Sequence, residues 1–363
     1  MKNYYHQLKS LLLCLIPLLL LLVLAACGKT SVPADRYTKY DKMLDYSKPL
    51  AFGEDEDVYV LCGKENWTAL EATLRATIER TVSLVYPEKY FNLIPVEIKD
   101  VASYLPYKNL IFVGDLASAD EVSAYMRSSL AKDYIVRVRQ TGGDLFIAKN
   151  HNSRDQIVLY LLGKDSQSLI DITRLQENSI FSLLLKRLTE RKAYQAFRGK
   201  IIPPKFWKPY PFSMKVPDTF RLYSNDVKGR FLSLLYRARI PDRSIPDKYI
   251  SVYYEDMPVN KVDADWAFNK RLEIWKTHFD GDLIRKDKLR SEKFKFAGFE
   301  GYRLIGSWEN QKMLIGGAFQ TMVFWHEKTK RAYLVDNMVF FPAGEKLPLL
   351  LELHAISSTL EIN

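Results

Sequence analysis

The chain reads as an α+β protein of two domains, an N-terminal mixed α/β layer and a C-terminal antiparallel sheet with packed helices. Three observations predict this. Before residue 198, apolar runs of strand length alternate with amphipathic helical stretches. After residue 212, six strand-length runs rich in aromatic and β-branched residues follow one another with only two helical interruptions. Between them, residues 199–211 hold four prolines, Pro203, Pro204, Pro209 and Pro211, a density that breaks regular structure and marks a boundary.

The chain opens on a leader. Lys2 and Lys9 precede a fourteen-residue apolar run, 11–24, that contains Pro17 and ends in Leu24-Ala25-Ala26-Cys27. A permanent span needs about 20 apolar residues, so length favours a cleaved signal. The cysteine directly after small residues reads as a lipobox, with cleavage between Ala26 and Cys27 and acylation of Cys27, including palmitate. One acyl chain holds a protein marginally and two or three hold it firmly. Gly28 follows, not the aspartate that retains many lipoproteins in the inner membrane, so the expected location is the outer membrane of the cell envelope.

The expected organisation is therefore a signal peptide over 1–26, a lipidated tether over 27–51 without apolar periodicity, a first domain over 52–198, a proline-rich connector over 199–211 and a second domain over 212–363. In the first domain, 58–61 reads as a strand. A helix over 65–86 is expected from Trp67, Leu70, Leu74, Ile78, Val82 and Val85, ended by Pro87. A strand at 109–113 leads through Gly114-Asp115 to a helix carrying Val122, Tyr125, Met126 and Leu130. Residues 134–139 and 144–148 flank Gly142-Gly143 and read as a hairpin. A strand at 157–162 precedes helix to about Arg198, broken near Glu177-Asn178-Ser179. In the second domain strands are expected at 212–216, 231–237, 249–254, 299–307, 317–325 and 332–341. One helix carries Phe268, Leu272, Trp275 and Phe279, the other Leu349, Leu353, Ile356 and Leu360. Neither half repeats the other.

Removal of Lys2 and Lys9 leaves 51 basic residues against 43 acidic ones. That surplus is spread along the chain and reads as a solvated basic surface. No dense basic run interleaved with aromatics is present, so nucleic acid is not an expected partner. Cys14 leaves with the leader and Cys27 is lipidated, so Cys62 is alone and no intramolecular disulfide can form. Its place at the end of an apolar run makes it a core residue before a nucleophile.

Motifs for chemistry are lacking. His151, His278, His326 and His354 are isolated, without zinc spacing. His278 and His326 read as a helix-end cation or surface residues. Glu54-Asp55-Glu56-Asp57 reads as a solvated tether end, and Asp280-Gly281-Asp282 as a turn, since Leu283, Ile284, Arg285 and Lys286 supply no further calcium ligands. Gly306-Ser307-Trp308 lacks the second glycine of a nucleophile elbow. Gly114-Asp115 is an ordinary strand-to-helix turn, and Gly316-Gly317 marks a bulge or close strand approach. No metal or cofactor site is expected, and no catalytic residue can be named. Five of the six tryptophans fall on core-like spacings, leaving Trp207 as the candidate exposed or interdomain aromatic.

The stretches 231–237, 249–257 with Pro258, Trp308, 313–319, 336–342 and Leu351-Glu352-Leu353 resemble an uncharacterised bacterial lipoprotein family, domain of unknown function 4837, mainly from Bacteroidota and relatives. The resemblance extends over roughly 57–360. Ala318 stands where proline is expected and Asn337 where glycine is expected. The resemblance implies a two-part lipoprotein body and transfers no catalytic residue; the strand and helix order of the C-terminal half is similar to Mog1 and PsbP-like folds. The expected function is a non-catalytic, lipid-anchored envelope protein that holds the membrane through Cys27 and binds an envelope protein or glycan. The alternative is an envelope-polymer hydrolase whose acidic pair comes from separate segments.

Overall fold

The computed structural model describes residues 47–96 and 101–363, and these fall in one compact unit. The leader, Ala26, Cys27 and most of the expected tether lie outside the described residues. Lys48 to Phe52 already lie on the body: Lys48 Nζ donates to the carbonyls of Asn150 and His151, Ala51 N–H to Arg154, and Phe52 N–H to Pro106.

The first half runs β1 (Asp57–Cys62), α1 (Lys64–Ile78), β2 (Thr81–Ser83), β3 (Pro87–Lys89), β4 (Asn92–Val96), α2 (Val101–Tyr104), β5 (Asn109–Asp115), α3 (Glu121–Ser129), α4 (Lys132–Thr141), β6 (Gly143–Lys149), β7 (Ile157–Gly163), α5 (Ser166–Leu175) and α6 (Glu177–Ala196). Its sheet has the order β4-β1-β5-β7-β6, parallel except for β6. Every residue of β5 and β7 is buried, because helices cover both faces of a parallel sheet. Val60, Ile111 and Leu159 meet α1, α5 and α6, while Leu61, Phe112 and Tyr160 meet α3 and α4.

The second half runs β8 (Phe212–Ser213), β9 (Arg221–Asp226), β10 (Phe231–Tyr236), β11 (Asp247–Asp256), α7 (Ala264–His278), β12 (Leu283–Ile284), β13 (Arg290–Phe296), β14 (Phe299–Asn310), β15 (Ile315–His326), β16 (Arg331–Phe340), α8 (Leu347–Ser357) and β17 (Glu361–Ile362). Its antiparallel sheet has the order β12-β14-β15-β16-β11-β10-β9, with β13 beside β14. The α+β class is thus a mixed, largely parallel sheet followed by an antiparallel one. Helix α7 packs on one face through Ala267, Ile274 and Trp275, and α8 on the other through Leu350, Leu353 and Ile356. Helix α8 also lies against α6, so one apolar core continues from β1 through α6 and α8 to β16.

Two expected elements differ. The helix expected over 65–86 stops at Ile78, and the chain turns into the β2–β3 hairpin. Val82 remains in the core at 2% exposure but reaches it from a strand. The reason is tertiary: Glu88 of the hairpin accepts the backbone N–H groups of Lys346 (2.9 Å) and Leu347 (2.7 Å), capping α8 from the other half of the molecule. The strand expected at 134–139 is helix α4. Only Val138 of that helix is buried, and Gly142, at φ +88°, ends it by donating to the Val138 carbonyl. Among the described residues strand β6 pairs with β7 alone, and Tyr134 and Arg137 lie over Phe146 from the helix. The break between α5 and α6 falls at Gln176.

Replacing Glu88 with alanine leaves two buried backbone donors without their acceptor, and is expected to lower unfolding free energy by about 2–4 kcal/mol. Glu88→Gln, which keeps an acceptor oxygen, should lose less. Urea denaturation followed by tryptophan fluorescence measures both.

Candidate functional site

A crevice of about 1040 Å³ opens at the carboxyl ends of β1, β4 and β5. Strand β1 continues into α1 on one face of the sheet, and β5 into α3 on the other. Helices departing to opposite faces part the loops between adjacent strands, the switch point at which open α/β sheets take their ligands. The walls are Val60, Trp67, Pro95, Val96 and Ala119, and the rim carries Lys64, Glu65, Asp120 and Glu121.

Asp115 holds the crevice in shape. At the buried end of β5 it accepts Asn66 Nδ2 (2.9 Å), Ser118 Oγ (2.6 Å) and the N–H groups of Ala117 (2.9 Å) and Ser118 (2.7 Å). Burial alone would raise its pKa, but these donors outweigh that and hold the carboxyl below the usual range. Arg127 donates to the Ser118 carbonyl at 2.7 Å and secures the same loop. Asp120 caps α3 by accepting Ser123 N–H at 3.0 Å. It also lies against the first turn of α1: a Cβ on Gly63 would stand 2.6 Å from Asp120 Cγ, so that turn needs glycine. Asp120 therefore occupies the place a phosphate would take at the α3 terminus, and Asp115 takes the N–H groups of the loop before it. Cys62 lines its base as a buried free thiol whose pKa burial, then Asp120 and Asp115, push up, keeping it protonated.

A second groove of about 550 Å³ joins the two halves, with Val85 and Tyr86 on one side and Trp308, Leu314, Ile315 and Pro342 on the other. Gly316-Gly317 is a close strand approach: a Cβ on Gly317 would stand 2.0 Å from the Val339 carbonyl oxygen and 2.7 Å from Trp308 Nε1. Beneath the groove, Asp282 is 5% exposed and accepts Asn310 Nδ2 at 2.7 Å. Burial raises its pKa to about 6.

Other residues singled out in the sequence take structural places. Asp55 is no solvated tether end: it pairs with Lys108 (2.9 Å) and Lys192 (3.4 Å) and accepts Gln195 Nε2 (3.1 Å). Burial pulls its pKa upward, but the Lys108 hydrogen bond and the charges of Arg191, Lys108 and Lys192 lower it overall. Asp280-Gly281 is a left-handed turn. His278 stacks on Phe231 with ring centroids 4.2 Å apart, and burial lowers its pKa, which disfavours the cationic helix-end role. His326 contacts Thr329 Oγ1 at 2.9 Å, and burial, then Lys328, lower its pKa. His354 touches Gln320 Nε2 at 3.0 Å, and burial, then Arg303, bring it to about 4. Trp207 is 4% exposed within the continuous core. Among the described residues no group of three or more His, Cys, Asp or Glu could hold a metal ion, and no helix is long and apolar enough to cross a membrane. The crevice itself was not visible in sequence, because Asn66 and Trp67 of α1 and Pro95 and Val96 of β4 are far in sequence from Asp115, Ser118 and Asp120. Its available signal was Asp115 followed by Ser118 and Asp120 directly before the amphipathic helix.

Residues 202–359 match the model of DUF4837, a domain of unknown function. The DUF4837 match thus covers the C-terminal half, where the motifs resembling that family are concentrated. Its two departures have structural places: Ala318 pairs with Ser307 and Val339 inside the sheet, and Asn337 Nδ2 donates to Ser357 Oγ of α8 at 2.9 Å. No curated protein matches the chain. Among solved structures, a Bacteroides thetaiotaomicron protein is 14% identical, with 46% of this chain and 49% of that one covered and a TM-score of 0.27. The Saccharomyces cerevisiae Ran-binding protein Mog1p is 12% identical, with 42% and 90% covered and a TM-score of 0.28. LpqN of Mycobacterium tuberculosis, described as involved in cell envelope biogenesis, is 14% identical, with 42% and 83% covered and a TM-score of 0.24. Overlaps this slight carry no functional argument.

Asp282 gives a pH test of the DUF4837 half. Its folded pKa of about 6 exceeds the ordinary 3.8, so the fold favours the neutral acid. Its contribution is fully present below about pH 4 and is lost as pH rises through 6. Asp282→Asn keeps the acceptor for Asn310 and is expected to stabilise the protein at pH 7 by about 1–3 kcal/mol, with little gain at pH 4. Urea midpoints against pH measure this.

Proposed function

We propose that the protein is a lipid-anchored component of the cell envelope whose body binds another envelope component, protein or glycan, in the crevice at the carboxyl ends of β1, β4 and β5. The observation that carries this is the crevice: it lies at the switch point, walled by Trp67, Val60, Pro95 and Val96 and rimmed by Lys64, Glu65, Asp120 and Glu121, of which Asp120 caps α3. Leu24-Ala25-Ala26-Cys27 supports the anchor. A hydrolase would call for a proton-donating carboxyl inside a cleft. Asp115 is held ionised, while Asp282 lies beneath the second groove with Asn310 on its Oδ1. Neither of these two buried carboxyls stands as a proton donor inside the crevice.

Replacing Trp67 with a photo-crosslinking benzoylphenylalanine in intact cells should give one reproducible adduct with an envelope protein or glycan, absent when the same group replaces the exposed Leu175. Equal labelling at both positions would refute the crevice as the binding site. Separately, Cys27→Ser should abolish labelling by a palmitate analogue and release the protein from membranes; a variant that still labels and sediments with membrane would refute the anchor.

A further inference from the structure

Two hairpin tips on the rim of the second groove expose apolar side chains to solvent. Met313 and Leu314, at the β14–β15 turn, are 51% and 89% exposed, and Val85 and Tyr86, at the β2–β3 turn, are each 41% exposed. Leu314 sits at φ +54°, a left-handed conformation that disfavours a branched side chain. A leucine held there and left in water adds nothing to the core. Tyr86 is held in place by the buried Lys346, whose Nζ donates to its hydroxyl at 3.2 Å and lies 4.4 Å from its ring centroid.

The charges beside these tips favour an anionic partner. Arg285, Lys286, Lys288 and Lys312 stand against three carboxylates, Asp287, Glu309 and Glu345, and the first two of those pair with Arg285, at 3.0 and 3.2 Å. Lys288 and Lys312 form no ion pair among the described residues. Exposed apolar tips collared by long cationic side chains match the bilayer boundary, where the apolar atoms enter the acyl region and the ammonium groups meet headgroup phosphates.

We propose that the paired tips at Tyr86 and Leu314, with Lys288 and Lys312 beside them, form a contact surface for an anionic bilayer. This rests on the lipid-anchor reading. Some twenty residues separate Cys27 from the first described residue, Ser47, a reach of up to about 70 Å when extended. That length lets the body turn this face to the leaflet holding the acyl chains. Tethering makes the second contact intramolecular, so a small surface suffices.

The test places an environment-sensitive nitrobenzoxadiazole label on Leu314→Cys in the full acylated protein. Cys62 is buried, so the label reports from position 314. On phosphatidylcholine vesicles with about 30 mol% phosphatidylglycerol the emission should rise roughly threefold and be quenched by spin-labelled acyl chains. It should stay near its solution value on phosphatidylcholine alone, and Lys288→Glu with Lys312→Glu should remove the rise without moving the urea midpoint. No rise on anionic vesicles, an equal rise on neutral ones, or an equal rise from a label at Leu175 overturns the proposal. Loss of the anchor reading is told apart by the Cys27→Ser chain: if it sediments with vesicles as the parent does, acylation is not the tether. Its Leu314 label at high lipid still decides the surface, silence counting against it.

Discussion

Helix α8 is the element on which the two sheets depend. Leu347, Leu350, Leu351, Leu353, Ala355 and Ile356 are all buried, although they point around the whole helix circumference. A helix apolar on every side must be enclosed on every side. The antiparallel sheet covers one flank and α6 the other, and α6 is in turn packed on the parallel sheet. Without α6, α8 would expose leucines; without α8, the inner faces of β16 and β11 would lack their cover. The apolar core of the DUF4837 half is therefore continuous with the half that precedes it.

Such enclosure leaves polar groups that must find partners inside, and the structure supplies them across long sequence separations. Glu88 caps α8 from 258 residues away. Arg191 of α6 reaches Asp155 and Asn109, at 3.0 and 2.8 Å, locking that helix to the amino ends of the parallel strands. Arg271 of α7 donates through Nε to Asp336 at 2.9 Å, and Thr321 and Trp275 Nε1 donate to the same carboxylate. Its guanidinium lies between the rings of Trp275 and Phe319, 3.3 and 3.4 Å from their centroids, where π faces stand in for hydrogen bonds. Burial lowers its pKa to about 10, against the pull of Asp336, and it stays charged at neutral pH. Removing one member of such a pair leaves the other charge buried alone, which is why these contacts specify the fold even where their net stabilisation is small.

Elements that bury a continuous apolar run were legible in sequence: β5, β7, β10, β11, β14, β15 and β16 all fall where strands were expected. The edge strand β6 was legible too, over 144–148, but the polar strands β9 and β13 were not. Strand β13 reads Arg-Ser-Glu-Lys-Phe-Lys-Phe and β9 exposes most of its residues, so neither carries the signal of burial on which pattern reading relies. Residues 134–139 mislead because alternation of Ile135, Arg137 and Arg139 with Val136 and Val138 fits a strand, yet a helix needing to bury only Val138 serves as well. Val82 misleads because its spacing continues that of α1, while its backbone answers to Glu88. The crevice was invisible for a related reason: a switch point is a property of strand order, and Gly63 and Asp115 become neighbours only when β5 pairs with β1.

What the chain settles locally is the α+β class and most core strands, since each depends on residues close in sequence and on burial alone. What waits for the tertiary structure is where polar groups go. The capping of α8 by Glu88, the crevice shaped by Asp115 and Asp120, and the groove shared by Tyr86 and Leu314 all join segments whose separation no periodicity encodes. Hydrophobic pattern states that a residue is buried; only packing decides against what.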